Sequence, residues 1–125
     1  MIQLTERLDR SPDLKCRCYT VNARYDLFTS CHIGIDERNG RFADITLESC
    51  NRCKTVWVRY FAEFEAFSYS GRWYRGIVAA QDLPQINPGN AVEYLETLDW
   101  YIFGGSHFSS TGMYGKGKVE ADFPF

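Results

Sequence analysis

A chain of 125 residues has the length of one domain, and with 45% hydrophobic and 16% aromatic residues it carries enough apolar side chains for a real core. This composition excludes wholesale disorder, and the abundance of Phe and Tyr tilts the expectation toward sheet. A formal net charge of −2 excludes a general phosphate-binding surface but leaves room for a local basic patch.

The opening Met1-Ile2-Gln3-Leu4-Thr5-Glu6-Arg7 lacks the basic start and apolar core of a secretory signal. No apolar run approaches the roughly 20 residues that span a bilayer, so a cytoplasmic protein without membrane association is expected. In that reducing compartment the five cysteines are expected as thiols, and metal binding is favoured over disulfides.

Residues 1–14 read as a weakly amphipathic segment with a turn or two of helix, ended by a turn at Ser11-Pro12-Asp13. Strands are expected over 15–21 and 25–35, on either side of a turn near Asn22. Asn39-Gly40 closes a polar run as a tight turn, because both residues tolerate positive φ. A strand over 41–49 follows, with Ile45 and Leu47 on one face.

The best strand signal is residues 55–68. Val56, Val58, Tyr60, Ala62, Phe64 and Ala66 alternate onto one face, and Trp57, Arg59, Phe61, Glu63, Glu65 and Phe67 onto the other. A two-residue hairpin turn at Ser70-Gly71 returns the chain as a strand over 72–80, with Phe64 opposite Ile77 and Ala62 opposite Ala79. That register leaves Trp57, Arg59, Phe61, Glu63, Glu65, Phe67, Arg72 and Tyr74 on a partly available face.

Asn87-Pro88 reads as a helix start, with Ala91, Leu95, Leu98 and Ile102 spaced as one apolar helical face that packs on the sheet. A helix over about 88–102 should stop at Gly104-Gly105. Residues 104–117 are rich in Gly, Ser and Thr, hence a loop, and 119–125 returns as an edge strand or a tail packed on the core. One domain is expected, with a cysteine-bearing part at about 15–57 and the aromatic hairpin at 55–80.

Cys16-x-Cys18 and Cys50-x-x-Cys53 supply four soft ligands in two pairs, the donor set of a tetrahedral zinc site. The second pair, followed by Lys54 and Trp57, resembles the knuckle of zinc ribbons and rubredoxin-like sites, in which backbone amides point at the thiolates and the chain leaves into a strand. The first pair departs from that pattern, with one intervening residue where the ribbon usually has two. The run from Trp57 through Gly76 also resembles small bacterial proteins, a likeness that implies no activity. With four thiolate ligands no position remains for water, so the metal is expected to be structural, folding a region with few large apolar residues of its own. Ordinary buried cysteines and a redox pair are the competing readings, and Cys31-His32 could replace a ligand.

Other patterns are weaker. Gly112 through Val119 nearly spells a phosphate-binding loop but has Val119 where Ser or Thr should hold magnesium. Ser106, His107 and Asp99 are the residue types of a hydrolase triad without its sequence pattern. Glu63 and Glu65 share a strand face, where paired carboxylates serve acid/base work or, more commonly, are solvated and balanced by arginines. The expected architecture is therefore α+β: an antiparallel sheet with a zinc-ribbon-like four-cysteine corner and one main helix. The expected function is a non-enzymatic, zinc-stabilised protein-binding module of a bacterial cytoplasm, for example an immunity protein that neutralises a toxin. The alternatives are a zinc-ribbon nucleic-acid-binding protein using Arg52, Lys54, Arg59 and Arg72, against which the acidic balance weighs, and a small enzyme using Glu63, Glu65 or His107.

Overall fold

The computed structural model describes residues 16–64 and 67–122; the expected helix in 1–14, Glu65 and Ala66, and the end of the tail lie outside them. The fold is α+β, a six-stranded antiparallel sheet in which each strand pairs with the next in sequence. Its strands are β1 (Phe28–Asp36), β2 (Ala43–Cys50), β3 (Val56–Ala62), β4 (Arg72–Ile77), β5 (Tyr101–Gly105) and β6 (Ser110–Gly115), and the α-helix among the described residues, α1 (Ala91–Thr97), lies between β4 and β5.

Both faces of the sheet are covered. On one, Ile45, Val58, Tyr60, Ala62 and Tyr74 pack against Ala91, Val92 and Leu95 of α1 and against Val119 and Ala121 of the tail. On the other, Trp57 and Ile102 pack beneath Cys18, Tyr19 and Val21. Strand alternation explains the division, since neighbours on β3 point to opposite faces. The segment 16–27 was expected to contribute a strand. It instead forms short 3-10 turns at Arg17–Tyr19 and Tyr25–Leu27, and covers the sheet rather than extending it.

The Asn39-Gly40 turn forms as expected, with φ of 55° and 74°. The aromatic hairpin differs. β3 ends at Ala62, which lies opposite Arg72, so the connection is 63–71 rather than Ser70-Gly71. Ser70 stabilises this longer loop, its hydroxyl accepting from Phe64 N at 2.9 Å and donating to Phe64 O at 2.8 Å. The register consequently shifts by an odd number of residues, which sends every side chain of β4 to the face opposite the expected one. Arg72 and Tyr74 therefore lie in the helix-covered core, 0% and 2% exposed. Trp73, Arg75 and Ile77 take the face shared with Trp57.

The helix is shorter than its apolar spacing implied. Asn87-Pro88 forms a preceding turn, in which Asn90 Oδ1 accepts from Asn87 N at 2.9 Å, and α1 begins after Asn90. It ends at Thr97, after which Tyr101, Ile102 and Phe103 enter β5. Aromatic and β-branched residues in that run favour a strand, and pairing with β4 and β6 outweighs the helical spacing. Gly76 permits the close approach, because a Cβ there would collide with Leu95 and Leu98. The glycine-rich stretch expected as a loop supplies β6.

Candidate metal centre

Cys50 closes β2, and the chain reverses at once into β3. Cys50 N donates to Thr55 O and Lys54 N to Cys50 O, both at 2.9 Å, while Lys54 adopts a left-handed φ of 70°. Within this turn Arg52 N points at Cys50 Sγ across 3.4 Å, the amide-to-sulfur contact expected of a knuckle. The upstream pair is set by the 3-10 turn at Arg17–Tyr19, where Tyr19 N donates to Cys16 O at 2.9 Å. Arg75 fastens this turn to the sheet. Its guanidinium donates to Cys18 O and Thr20 O and lies 5.0 Å from the Phe28 ring centre and 4.4 Å from that of Trp57.

These elements bring Cys16, Cys18, Cys50 and Cys53 together, with all four sulfurs within 4.8 Å of one another. Cys16 and Cys50 sulfurs are 3.7 Å apart, and those of Cys18 and Cys53 3.6 Å. A disulfide needs about 2.05 Å. Tetrahedral coordination at a metal–sulfur distance of about 2.3 Å requires sulfur–sulfur edges of about 3.8 Å, so the four thiols are spaced to receive a metal ion.

Electrostatics reinforces this fit. Burial pushes the Cys18 thiol well above its ordinary pKa, opposed by the nearby Trp57 indole N–H. That N–H is buried and makes no hydrogen bond among the described residues. At Cys53 burial also acts upward, but hydrogen bonding to Thr55 and the neighbouring cysteines brings the thiol down to about 7. A cation would offset the cost of holding four thiolates in this half-buried corner.

Cys31 and His32 stand apart. Cys31 is an exposed residue of β1 opposite Leu47, and His32 Nε2 lies 3.1 Å from Asp44. The triad candidates separate too: Asp99 and His107 flank opposite ends of β5, Ser106 Oγ accepts from Gly71 N, and His107 Nε2 faces Glu120 at 3.2 Å. Gly112–Gly115 of the near phosphate loop is built into β6.

The expected partner face is divided by the register shift. Trp57 is fully buried beneath the cysteine segment, Arg72 and Tyr74 are buried on the other face, and Arg59 and Phe61 are half-buried. Glu63 and Phe67 are exposed in the 63–71 connection. The expected arginine patch breaks for the same reason, with Arg52 and Lys54 exposed at the knuckle and Arg72 inside. Sequence reasoning missed a cavity between segment 21–28 and the sheet, bordered by Glu48, Arg59 and Trp73. Burial raises the Glu48 pKa against the pull of Arg75 and Arg59. Only the strand register could have shown that these side chains converge.

Comparison with protein-family models, with curated proteins and with solved structures finds no match to this chain. Among the described residues no helix is long and apolar enough to cross a membrane.

Proposed function

We propose that the chain is a non-enzymatic, zinc-stabilised protein-binding module, with zinc in the four-cysteine corner and the partner surface at the opposite end of the sheet. The observation that carries the surface is a set of outward aromatics: Phe42, Phe67 and Tyr69 are 64%, 52% and 75% exposed. Phe42 precedes β2, and the 63–71 connection joins β3 to β4 at that same end, away from Cys50. Phe42 and Tyr69 also hold left-handed φ values of 50° and 57°. Such conformations cost non-glycine residues about 1–3 kcal/mol and concentrate at functional sites. Exposed aromatics are the usual anchors of protein interfaces.

Zinc suits an all-sulfur tetrahedral set, and four protein ligands leave it no open position for catalysis. A toxin, bound as a bacterial immunity protein binds one, is the partner class that a small, mildly acidic chain serves best. The test combines metal analysis with co-purification from the native host. The purified chain should carry about one zinc per molecule, and Phe42→Ala with Tyr69→Ala should lose the co-purifying protein while keeping the zinc. A partner retained equally by that double variant, or no stable partner at all, overturns the proposed surface.

A further inference from the structure

Between segment 21–28 and the sheet lies a cavity of about 530 Å³, within the ordinary range for small-molecule sites. Strand alternation puts Glu48, Arg59, Trp73 and Arg75 on the sheet face that borders it, and Tyr25, Phe28 and Thr111 are also part of its wall. Arg59 and Arg75 stand directly opposite one another across β3 and β4, a pairing in which like charges repel. Arg75 is occupied, since its guanidinium donates to the Cys18 and Thr20 carbonyls. Arg59 is not: it rests over the Phe61 ring at 5.2 Å, and its nitrogens make no hydrogen bond or ion pair among the described residues. None of those nitrogens is sealed from solvent, in contrast to Glu48 Oε1. Arg59 can therefore touch what enters the cavity, whereas the shielded Glu48 oxygen cannot.

Two guanidiniums and one carboxylate leave this wall one positive charge in surplus, in a chain whose overall charge is −2. Beside the surplus charge lies an aromatic surface. Trp73 is half-buried, and its indole leans toward β5, away from Arg59, into room that Gly104 leaves open. A Cβ at Gly104 would come within 2.8 Å of Trp73 Cζ2. Because Arg59 pairs with Arg75 and Phe61 with Trp73, Arg59 and Trp73 are diagonal neighbours, with backbones about 7–8 Å apart. One ring carrying one acid group matches that spacing. Tyr25, 83% exposed, adds a second ring to the wall.

We infer that this cavity binds a small flat monoanion, an aromatic carboxylate, with the carboxylate on Arg59 and the ring against Trp73 and Tyr25. A guanidinium grips a carboxylate through two parallel N–H donors, and half-buried surroundings strengthen that contact. A single negative charge cancels the surplus on the wall. A phosphate monoester carries about two and would meet the charge of Glu48, so it is disfavoured.

The test is calorimetric titration of the full purified chain with naphthoate, its neutral isostere naphthamide, naphthyl phosphate and acetate. Naphthoate should bind roughly tenfold more tightly than naphthamide or naphthyl phosphate, and acetate, which lacks the ring, more weakly still. Arg59→Gln should abolish the preference for naphthoate over naphthamide, and Arg59→Lys should restore part of it, because lysine keeps the charge without the fork. Tyr25→Ala, at a position too exposed to support the fold, should weaken naphthoate and naphthamide alike. Equal affinity for naphthoate and naphthamide, tighter binding of naphthyl phosphate, no naphthoate binding at millimolar concentration, or binding indifferent to both Arg59→Gln and Tyr25→Ala overturns the proposal. Phe42, Phe67 and Tyr69 lie outside this cavity, so failure here leaves the protein-binding surface standing, and the reverse.

Discussion

The two ends of the β1–β2 pair are held together by different chemistry. At one end Cys50 and Cys53 meet Cys16 and Cys18, and the segment they anchor covers Trp57. At the other end Asp36, with a fully buried side chain, receives Arg41 Nη1 at 2.9 Å and Arg38 Nε at 3.1 Å. Arg41 Nε reaches on to Asp122 of the tail at 2.6 Å, and Arg38 Nη2 to Glu93 of α1 at 3.2 Å. The ionic end is a network in which three carboxylates share two guanidiniums, each charge meeting an opposite one within the chain. The cysteine end gathers four thiols close enough to hold a metal ion, which would offset their charge as thiolates. The difference teaches where to look for sensitivity to metal removal, at the cysteine end, and for sensitivity to acid, at the ionic one.

Metal removal should have the largest effect. Structural zinc contributes apparent free energies of about 10–16 kcal/mol in small zinc domains, comparable with or above the ~5–15 kcal/mol stability of a whole domain. A strong chelator, or Cys18→Ser, should release segment 16–27, red-shift the fluorescence of Trp57 and abolish or sharply lower the urea midpoint. An unchanged midpoint with chelator present would show that packing around Trp57 and Arg75 holds this end without metal.

Breaking the ionic end should cost less. Asp36→Asn leaves Arg41 with Asp122 as its remaining carboxylate, so the loss should fall at or below the lower end of the roughly 3–5 kcal/mol of a fully disrupted buried pair, read by urea denaturation. Burial pushes the Asp36 carboxyl upward, yet hydrogen bonds and charge from Arg38 and Arg41 outweigh it and hold the group below the usual carboxylate range. Because the folded value is the lower one, the stabilisation is complete above the ordinary pKa of about 4 and is lost as pH falls through the folded value. Glu93 and Asp122 are shifted downward as well, through hydrogen bonds from Arg38 and Arg41. Acid titration of stability should therefore be steep below about pH 4 in the native chain and shallower in Asp36→Asn. Equal steepness would place the acid sensitivity outside this network.

The sequence made the cysteine end legible because two close pairs of thiols are a local pattern, and the alternation of Val58, Tyr60 and Ala62 assigned the core face of β3 correctly. The ionic end was invisible, since Asp36, Glu93 and Asp122 are brought together only by tertiary packing. The misread register had one cause. Ser70-Gly71 carries tight-turn chemistry, but Ser70 folds its hydroxyl back onto Phe64, and the loop lengthens to 63–71. An odd shift then exchanged the faces of Arg72 and Tyr74 with those of Trp73 and Arg75, which hid both the cavity and the true location of the exposed aromatics. The helix was misplaced because the spacing Ala91, Leu95, Leu98, Ile102 fits a helix, although the Tyr101-Ile102-Phe103 run pairs as strand.

The smallest expected effect sharpens the contrast most, because it runs in the opposite direction. Phe42 adjoins the ionic network but takes no part in it: it is 64% exposed, with φ of 50°. Little apolar burial would be lost on removing its side chain, and glycine adopts the left-handed region without steric cost. The gain is reduced by the greater freedom of glycine in the unfolded chain, so Phe42→Gly should stabilise by only about 0.5–1 kcal/mol. Urea denaturation at neutral pH would read this as a raised midpoint with an unchanged slope. If the aromatic is kept for a partner, the same variant should lose the co-purifying protein as it gains stability, the trade expected where function holds a strained residue in place. A destabilised Phe42→Gly would instead show that the ring contributes packing to the Arg41–Asp122 end, leaving Tyr69 as the exposed aromatic with a left-handed φ there.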